Sequence, residues 1–275
     1  MNILKKFYRA LVILHIWTIK QYQKKIVTPC KRLRAYYKFR FVFPKLGSSP
    51  IKDLNLYEAK VYSQNGEDGI IKAIFQKIGT TNKYAVEIGV EDGTECNTRY
   101  LIQKAGWKSL QLDGSDNNSP QIKQEFITAE NINILLKKYA VPTEFDLLSV
   151  DIDYNTYWVW KAIEQYSPRV VIVEYNAAFP PTESKAVEYD PNGVWDSTNY
   201  FGASLLAFVN LGKLKNYTLI ACDNRGVNAF FVRNDLANNF VSKDIIEIYK
   251  APQYGQKVKG KYIGKPVSKK KMMTV

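Results

Sequence analysis

Histidine is nearly missing from this sequence: His15 is the only one in 275 residues. Imidazole is the usual proton carrier near neutral pH, so proton transfer in the body of the chain must fall to a carboxylate, Lys, Tyr or a metal. Cysteine is scarce too. Cys30, Cys96 and Cys222 lie far apart, with no CxxC or CxxH pattern. That spacing argues against a zinc site and a disulfide framework, and it fits reduced thiols in a cytoplasmic setting. Acids are missing from both ends. Residues 1–50 hold twelve Lys or Arg and no Asp or Glu, and residues 255–275 hold seven Lys and no acid. All 26 acids therefore fall between 51 and 254, against 20 bases, so the net charge of +13 belongs to the ends and the body is acidic. Long apolar runs are also lacking. Phe7–Ile19 reads FYRALVILHIWTI, thirteen residues broken by Arg9 and His15. As a helix it would rise about 20 Å, short of the ~30 Å of a bilayer core. No small-x-small cleavage site follows it, which argues against a secretory signal.

Three regions result: a basic, partly apolar segment (1–50), an α/β domain (51–240) and a basic tail (241–275). Within the first, residues 31–43 interleave bases with aromatics. Such a stretch suits an anionic membrane surface, with packing on the domain as an equal reading and nucleic-acid phosphates as a lesser one. A cytoplasmic protein, held peripherally at a membrane, is the expectation.

With 46% hydrophobic residues, the chain can bury a full core. Ser63-Gln-Asn-Gly-Glu-Asp opens a helix, with Ser63 or Asn65 as cap and Glu67 and Asp68 in the first turn. Seven strands are expected at Tyr84–Ile88, Lys108–Leu112, Glu125–Thr128, Phe145–Val150, Val170–Glu174, Tyr217–Cys222 and Val227–Val232. Helices near 95–105, 117–123, 130–139, 156–166 and 202–214 separate the first six strands. The last two meet at Asp223-Asn-Arg-Gly, a hairpin turn signal. The pattern predicts an α/β, Rossmann-like, doubly wound seven-stranded sheet, mostly parallel, with a C-terminal antiparallel hairpin. One long irregular loop spans about 176–200, and loops of that length in compact domains are usually functional.

Ligands of doubly wound sheets bind outside the carboxyl ends of the strands. The first such end reads Glu87-Ile-Gly89-Val-Glu91-Asp92-Gly93, and the next places Asp113 where ribose hydroxyls could donate to it. Glu-x-Gly-x-x-x-Gly after the first strand resembles the S-adenosylmethionine motif of class I methyltransferases. Tyr62-Ser-Gln-Asn-Gly-Glu-Asp ahead of that strand is similar to a segment of the FkbM-like members. The resemblance spans about residues 60–235. It implies that Gln64 and Glu67 lie near the cofactor, that Glu87, Gly89 and Gly93 frame it, and that Asp113 holds its ribose. A nicotinamide dinucleotide site, or a non-catalytic protein that keeps the fold, is the rival. Glu87, Glu91 and Asp92 would repel a pyrophosphate but suit a sulfonium.

For the chemistry, the fourth strand ends in Asp151-Ile-Asp153 and the fifth in Glu174-Tyr-Asn176. Alternation puts Asp151 and Asp153 on one side if the strand continues that far. These four residues are the expected catalytic group. A loose resemblance to the metal layout of catechol-type O-methyltransferases makes Asp151, Glu174 and Asn176 a candidate set for a divalent ion, Mg²⁺ or Mn²⁺ (or Ca²⁺), suited to oxygen ligands. The 176–200 loop mixes aromatics with acids, which suits a sugar. The expected activity is methyl transfer to a sugar or glycan hydroxyl, with a nucleic-acid methyltransferase as the alternative.

Overall fold

The computed structural model describes Phe39, residues 46–116 and residues 119–275. The chain divides into two units, Met1–Pro44 and Lys45–Val275. The expectations for 7–19 and 31–43, and for His15 and Cys30, lie outside the described residues, apart from Phe39. No helix among the described residues is long and apolar enough to cross a membrane.

The second unit is built on a seven-stranded sheet. Its strands are β1 (Tyr84–Ile88), β2 (Lys108–Asp113), β3 (Lys123–Gln124), β4 (Glu144–Val150), β5 (Ser167–Glu174), then, after the short β6 (Lys185–Ala186), β7 (Tyr217–Cys222) and β8 (Asn228–Arg233). The sheet order is β3-β2-β1-β4-β5-β8-β7. The pairs from β3 to β5 are parallel, and β8 runs antiparallel to both β5 and β7. The fold is thus the doubly wound α/β sheet with a reversed hairpin. Its central strands are buried along their length: Val170, Val171, Ile172 and Val173 are each fully covered. Consecutive burial of this kind needs both faces covered, and that is why these strands read as unbroken apolar runs.

The helices are α1 (Glu67–Ile78), α2 (Arg99–Ala105), α3 (Ile132–Lys138), α4 (Thr156–Ala162), α5 (Leu205–Leu214) and α6 (Ile245–Ile248). Three expectations need correction. The third strand is not Glu125–Thr128. Pairing with β2 uses Lys123 and Gln124, and the ladder ends as Glu125 N–H donates to Asp113 O at 2.9 Å. Ile127 then enters the core from irregular chain while Phe126 stays exposed. The expected helix near 117–123 is absent from its described residues, 119–123. The cap of α1 is Gly66, with no side-chain cap bond; Ser63 reaches in from further back, its Oγ accepting from Asp68 N–H at 3.1 Å.

At the amino ends of the strands, Arg169 and Asp146 form a buried ion pair at 2.8 Å. Asp146 also accepts from the N–H groups of Thr81 and Lys83. Arg169 donates to the carbonyls of Ile78 and Gly79. This network ties the end of α1 to the sheet on the side away from the site.

After residue 240 the chain stays within the second unit. Ile248 of α6 joins the main core. A hairpin, β9 (Gln256–Val258) and β10 (Lys261–Gly264), follows, and β11 (Met273–Thr274) pairs antiparallel with β6. The basic tail is therefore partly structured, and it runs beside the long loop.

Candidate active site at the carboxyl edge

A cavity of about 790 Å³ opens over the carboxyl ends of the strands. Gly89 builds its floor. With φ +80°, a Cβ on Gly89 would sit 1.6 Å from the carbonyl oxygen of Asp151. Only glycine lets the ends of β1 and β4 close in this way, with Gly89 N–H donating to Leu112 O and Asp151 N–H to Ile88 O, both at 2.9 Å.

The segment resembling the FkbM-like one is a loop wrapped around two carboxylates. Asp68 Oδ2 accepts from the N–H groups of Val61, Tyr62 and Ser63 at 2.7–2.8 Å and from Ser63 Oγ at 2.9 Å. Glu67 accepts from the N–H groups of Asn65 and Gly66, both at 2.8 Å. The loop so held presents Gln64 to the cavity, while Glu67 itself does not line it. Instead Glu67 accepts from Asn228 Nδ2 at 2.9 Å, and Asn228 does line the cavity. Glu67 is thus a positioning residue, one layer behind the role the resemblance implied.

Glu87 departs from its expected place as well. It is 4% exposed and turned away from the cavity. Its carboxylate accepts from Asn97 N–H at 2.7 Å, Thr98 N–H at 3.0 Å and Thr98 Oγ1. Burial raises its pKa, opposed by these bonds. The reason is the pleat: Val86 and Ile88 join the main core on one face, so Glu87 points to the other, at the start of α2. Gly93 likewise shapes a turn, φ +77° with its N–H donating to Val90 O at 2.9 Å, without lining the cavity.

Asp113 lines the cavity. It accepts from Glu91 N–H and Ser115 N–H, both at 2.8 Å. Asp151, Asp153 and Glu174 also line the cavity. Each offers one oxygen within 4.8 Å of the others. They do not meet through strand alternation. The strand stops at Val150, and Asp153 takes up φ +54°, a left-handed backbone that is costly for a non-glycine residue. Glu91, also lining the cavity, holds φ +48°. Strained residues of this kind concentrate at functional sites.

Burial first, then the negative charge of Asp153, pushes the Asp151 carboxyl up to about 7, and a hydrogen bond with Glu174 opposes the rise. Glu174 is raised well above the usual carboxylate range by burial and by Asp151. Asp153 is raised by burial and by Glu91, with Lys265 opposing. Two carboxyl groups within hydrogen-bond reach and both raised hold one proton between them near neutrality.

Asn176 is not part of this group. It is fully buried outside the cavity lining, with Nδ2 donating to Asn199 O and Phe201 O and Oδ1 accepting from Ala178 N–H. Its two donors are spent pinning the long loop, so the set that could hold a cation is Asp151, Asp153 and Glu174.

Asn97, Asn155, Asn228 and Lys265 are among the lining residues that the sequence reading did not single out. The loop contributes Trp195, with Val194 and Gly193, rather than its other aromatics. A Cβ on Gly193 would lie 2.4 Å from the ring of Tyr154, so glycine here lets the loop close over the end of β4. Lys265 Nζ lies 4.3 Å from the centre of the Trp195 ring. No local signal marks Lys265, which arrives from a tail that reads only as a run of bases.

No family model and no curated protein sequence matches the chain. Among solved structures it is similar to the small RNA methyltransferase HEN1, with 14% identity and a TM-score of 0.33 over 59% of this chain. The chain spans 24% of that protein's length. It is also similar to an S-adenosylmethionine-dependent methyltransferase from Clostridium acetobutylicum, with 10% identity and a TM-score of 0.35, covering 74% of this chain and 99% of the other.

Proposed function

We propose that this protein binds S-adenosylmethionine in the carboxyl-edge cavity and transfers its methyl group to a hydroxyl of a sugar or glycan. The observation that carries the reading is the charge of the cavity: seven acidic residues line it against one base, Lys265. A sulfonium cation is stabilised there and a pyrophosphate is repelled. The amino end of α2, where the helix after the first strand would receive a pyrophosphate in a dinucleotide site, already has Glu87 against it. The cavity volume lies within the range of small-molecule sites, roughly 300–1,000 Å³.

On this reading Gln64, the backbone at Gly89 and the Asp113 carboxylate hold the cofactor, which supplies an activated methyl group when bound. Asp151, sharing a proton with Glu174, takes the proton of the acceptor hydroxyl. Its raised pKa places it near the operating pH, where a general base works best. A divalent ion on Asp151, Asp153 and Glu174 would displace that shared proton and lower the pKa of the hydroxyl instead. Trp195 offers a face for a sugar ring. The resemblance of residues 62–68 to FkbM-like enzymes supports a glycan acceptor, and the basic residues 1–50 would hold the protein at a membrane surface where such acceptors are displayed.

Calorimetric titration tests this. S-adenosylmethionine should bind and a nicotinamide dinucleotide should not. Asp113→Ala should weaken the cofactor by about tenfold to a hundredfold, the worth of hydrogen bonds to a charged group. Tight dinucleotide binding with no response to S-adenosylmethionine would refute the proposal.

A further inference from the structure

Two asparagines that line the cavity each carry a buried amide oxygen with no donor. Asn155 and Asn228 are each 4% exposed and each lines the cavity, and the Oδ1 of each has no hydrogen-bond partner. Their amide orientations are fixed by their neighbours. Asn155 Nδ2 donates at 2.7 Å to the carbonyl oxygen of Asp190, which can only accept. Asn228 Nδ2 donates at 2.9 Å to Glu67 Oε1, and Glu67 already accepts from the N–H groups of Asn65 and Gly66. Flipping either amide would set oxygen against oxygen, so both side chains keep an accepting oxygen for something else.

A buried acceptor without a donor is costly, and native proteins leave few of them outside sites that a ligand completes. Both lie on the β4–β5–β8 side of the cavity, away from Asp113. Asn155 follows the end of β4, and Asn228 opens β8 directly opposite Glu174 in the β5–β8 register. Oxygen acceptors and carboxylates gather on this side. Its single cation, Lys265, donates no hydrogen bond to any described residue and rests against Trp195. The corner already accommodates an ammonium against an aromatic ring, an arrangement that attracts cations.

We infer that Asn228, with Glu174 beside it and Asn155 further along the wall, forms a subsite for an ammonium group carried by the acceptor, making that acceptor an amino sugar rather than a neutral or acidic one. The inference rests on the methyl-transfer reading for the word acceptor, but the subsite stands on its own geometry. An ammonium supplies only donors, which matches the two open amide oxygens and the carboxylates around them, whose negative charge outweighs the single Lys265. A carboxylate or phosphate would leave both amide oxygens unmet and face Asp151, Asp153 and Glu174.

The test uses the full chain loaded with S-adenosylhomocysteine, which cannot transfer a methyl group. Methyl glucosaminide, methyl glucoside and methyl glucuronide are compared by calorimetric or NMR titration near neutral pH, where the amine is largely charged and Asp151 and Glu174 still carry a negative charge between them. The glucosaminide should bind at least about tenfold more tightly than the glucoside, the effect of one charge-assisted hydrogen bond. The glucuronide should bind most weakly. Asn228→Ala and Asn155→Ala should each erode the preference for the glucosaminide, and Asn155→Ala should leave S-adenosylhomocysteine binding within about twofold. A glucosaminide that binds no better than the glucoside, or no binding by either, overturns the inference without any variant. If S-adenosylhomocysteine fails to bind, the methyl-transfer reading falls. The same three sugars titrated into the unloaded protein then decide the ammonium subsite separately.

Discussion

Asp151 is the residue on which the chemistry turns, and its raised pKa makes two measurements diverge. As a base it works only when deprotonated, so turnover should rise with pH and level off above about 7. Asp151→Asn should lower the rate by about 10²–10⁴, the usual worth of a general base, and flatten that rise. Stability runs the other way. The folded state binds the Asp151 proton more tightly than the unfolded chain, whose carboxyl titrates near 4. Stability is therefore lost as pH climbs from about 4 towards 7, and is constant above that window. Thermal melts of Asp151→Asn should match wild type at acid pH and exceed it above neutrality. A variant that melts lower than wild type at every pH would show Asp151 to be a structural group. The sequence made this carboxylate visible because it sits at a strand end. It misplaced Asn176 because nothing in the local sequence says that the two Nδ2 donors are already spent on Asn199 and Phe201. Asn155 and Asn228 escaped for the same reason: their value lies in what their amides do not bond to.

Among the elements, burial decided what could be read in advance. β1 and β7 match their expected limits because apolar side chains and turn residues bound them tightly. β5 begins three residues earlier than its apolar run, at Ser167, because Pro168 and Arg169 belong to it, and Arg169 is buried through its ion pair with Asp146. A charged residue inside a strand reads as a boundary until its partner is known. That pair predicts a large and local effect. Asp146→Ala leaves the Arg169 guanidinium buried without its counter-charge and strips the acceptor from Thr81 and Lys83. Breaking a buried pair from one side costs about 3–5 kcal/mol. Denaturant unfolding should show a loss of that order. Cofactor affinity should hold below the melting range, because the pair lies at the amino ends of the strands, opposite the cavity. A weakened cofactor in a still-folded variant would mean that the two ends of the sheet are coupled. β3 was misread for the opposite reason. It is two exposed residues on a sheet edge, too short and too polar to leave a periodic signal.

For the molecule as a whole, the basic tail changes meaning once folded. The sequence separates residues 241–275 from the domain by charge, yet they bring Lys265 to the cavity and clip the long loop at several points. Asn199 N–H donates to Pro266 O at 2.7 Å, Ser268 N–H donates to Asn199 Oδ1 at 2.8 Å, and β11 pairs with β6. None of these contacts touches the seven-stranded sheet. Removing residues 256–275 should therefore leave the sheet intact and release the loop. In that truncation, limited proteolysis should cut between 177 and 204 much faster than in the full chain. S-adenosylmethionine should bind within a few fold of the full-length value, because Gln64, Gly89 and Asp113 remain. Turnover should fall further than cofactor affinity, since Trp195 and Asn155 line the half of the cavity that the loop closes. Equal proteolysis of the two forms would mean that Tyr189, bonded to Glu130 and Ala129, holds the loop without the tail. The tail's role would then reduce to the single charge of Lys265, and Lys265→Ala alone should reproduce the whole loss of turnover.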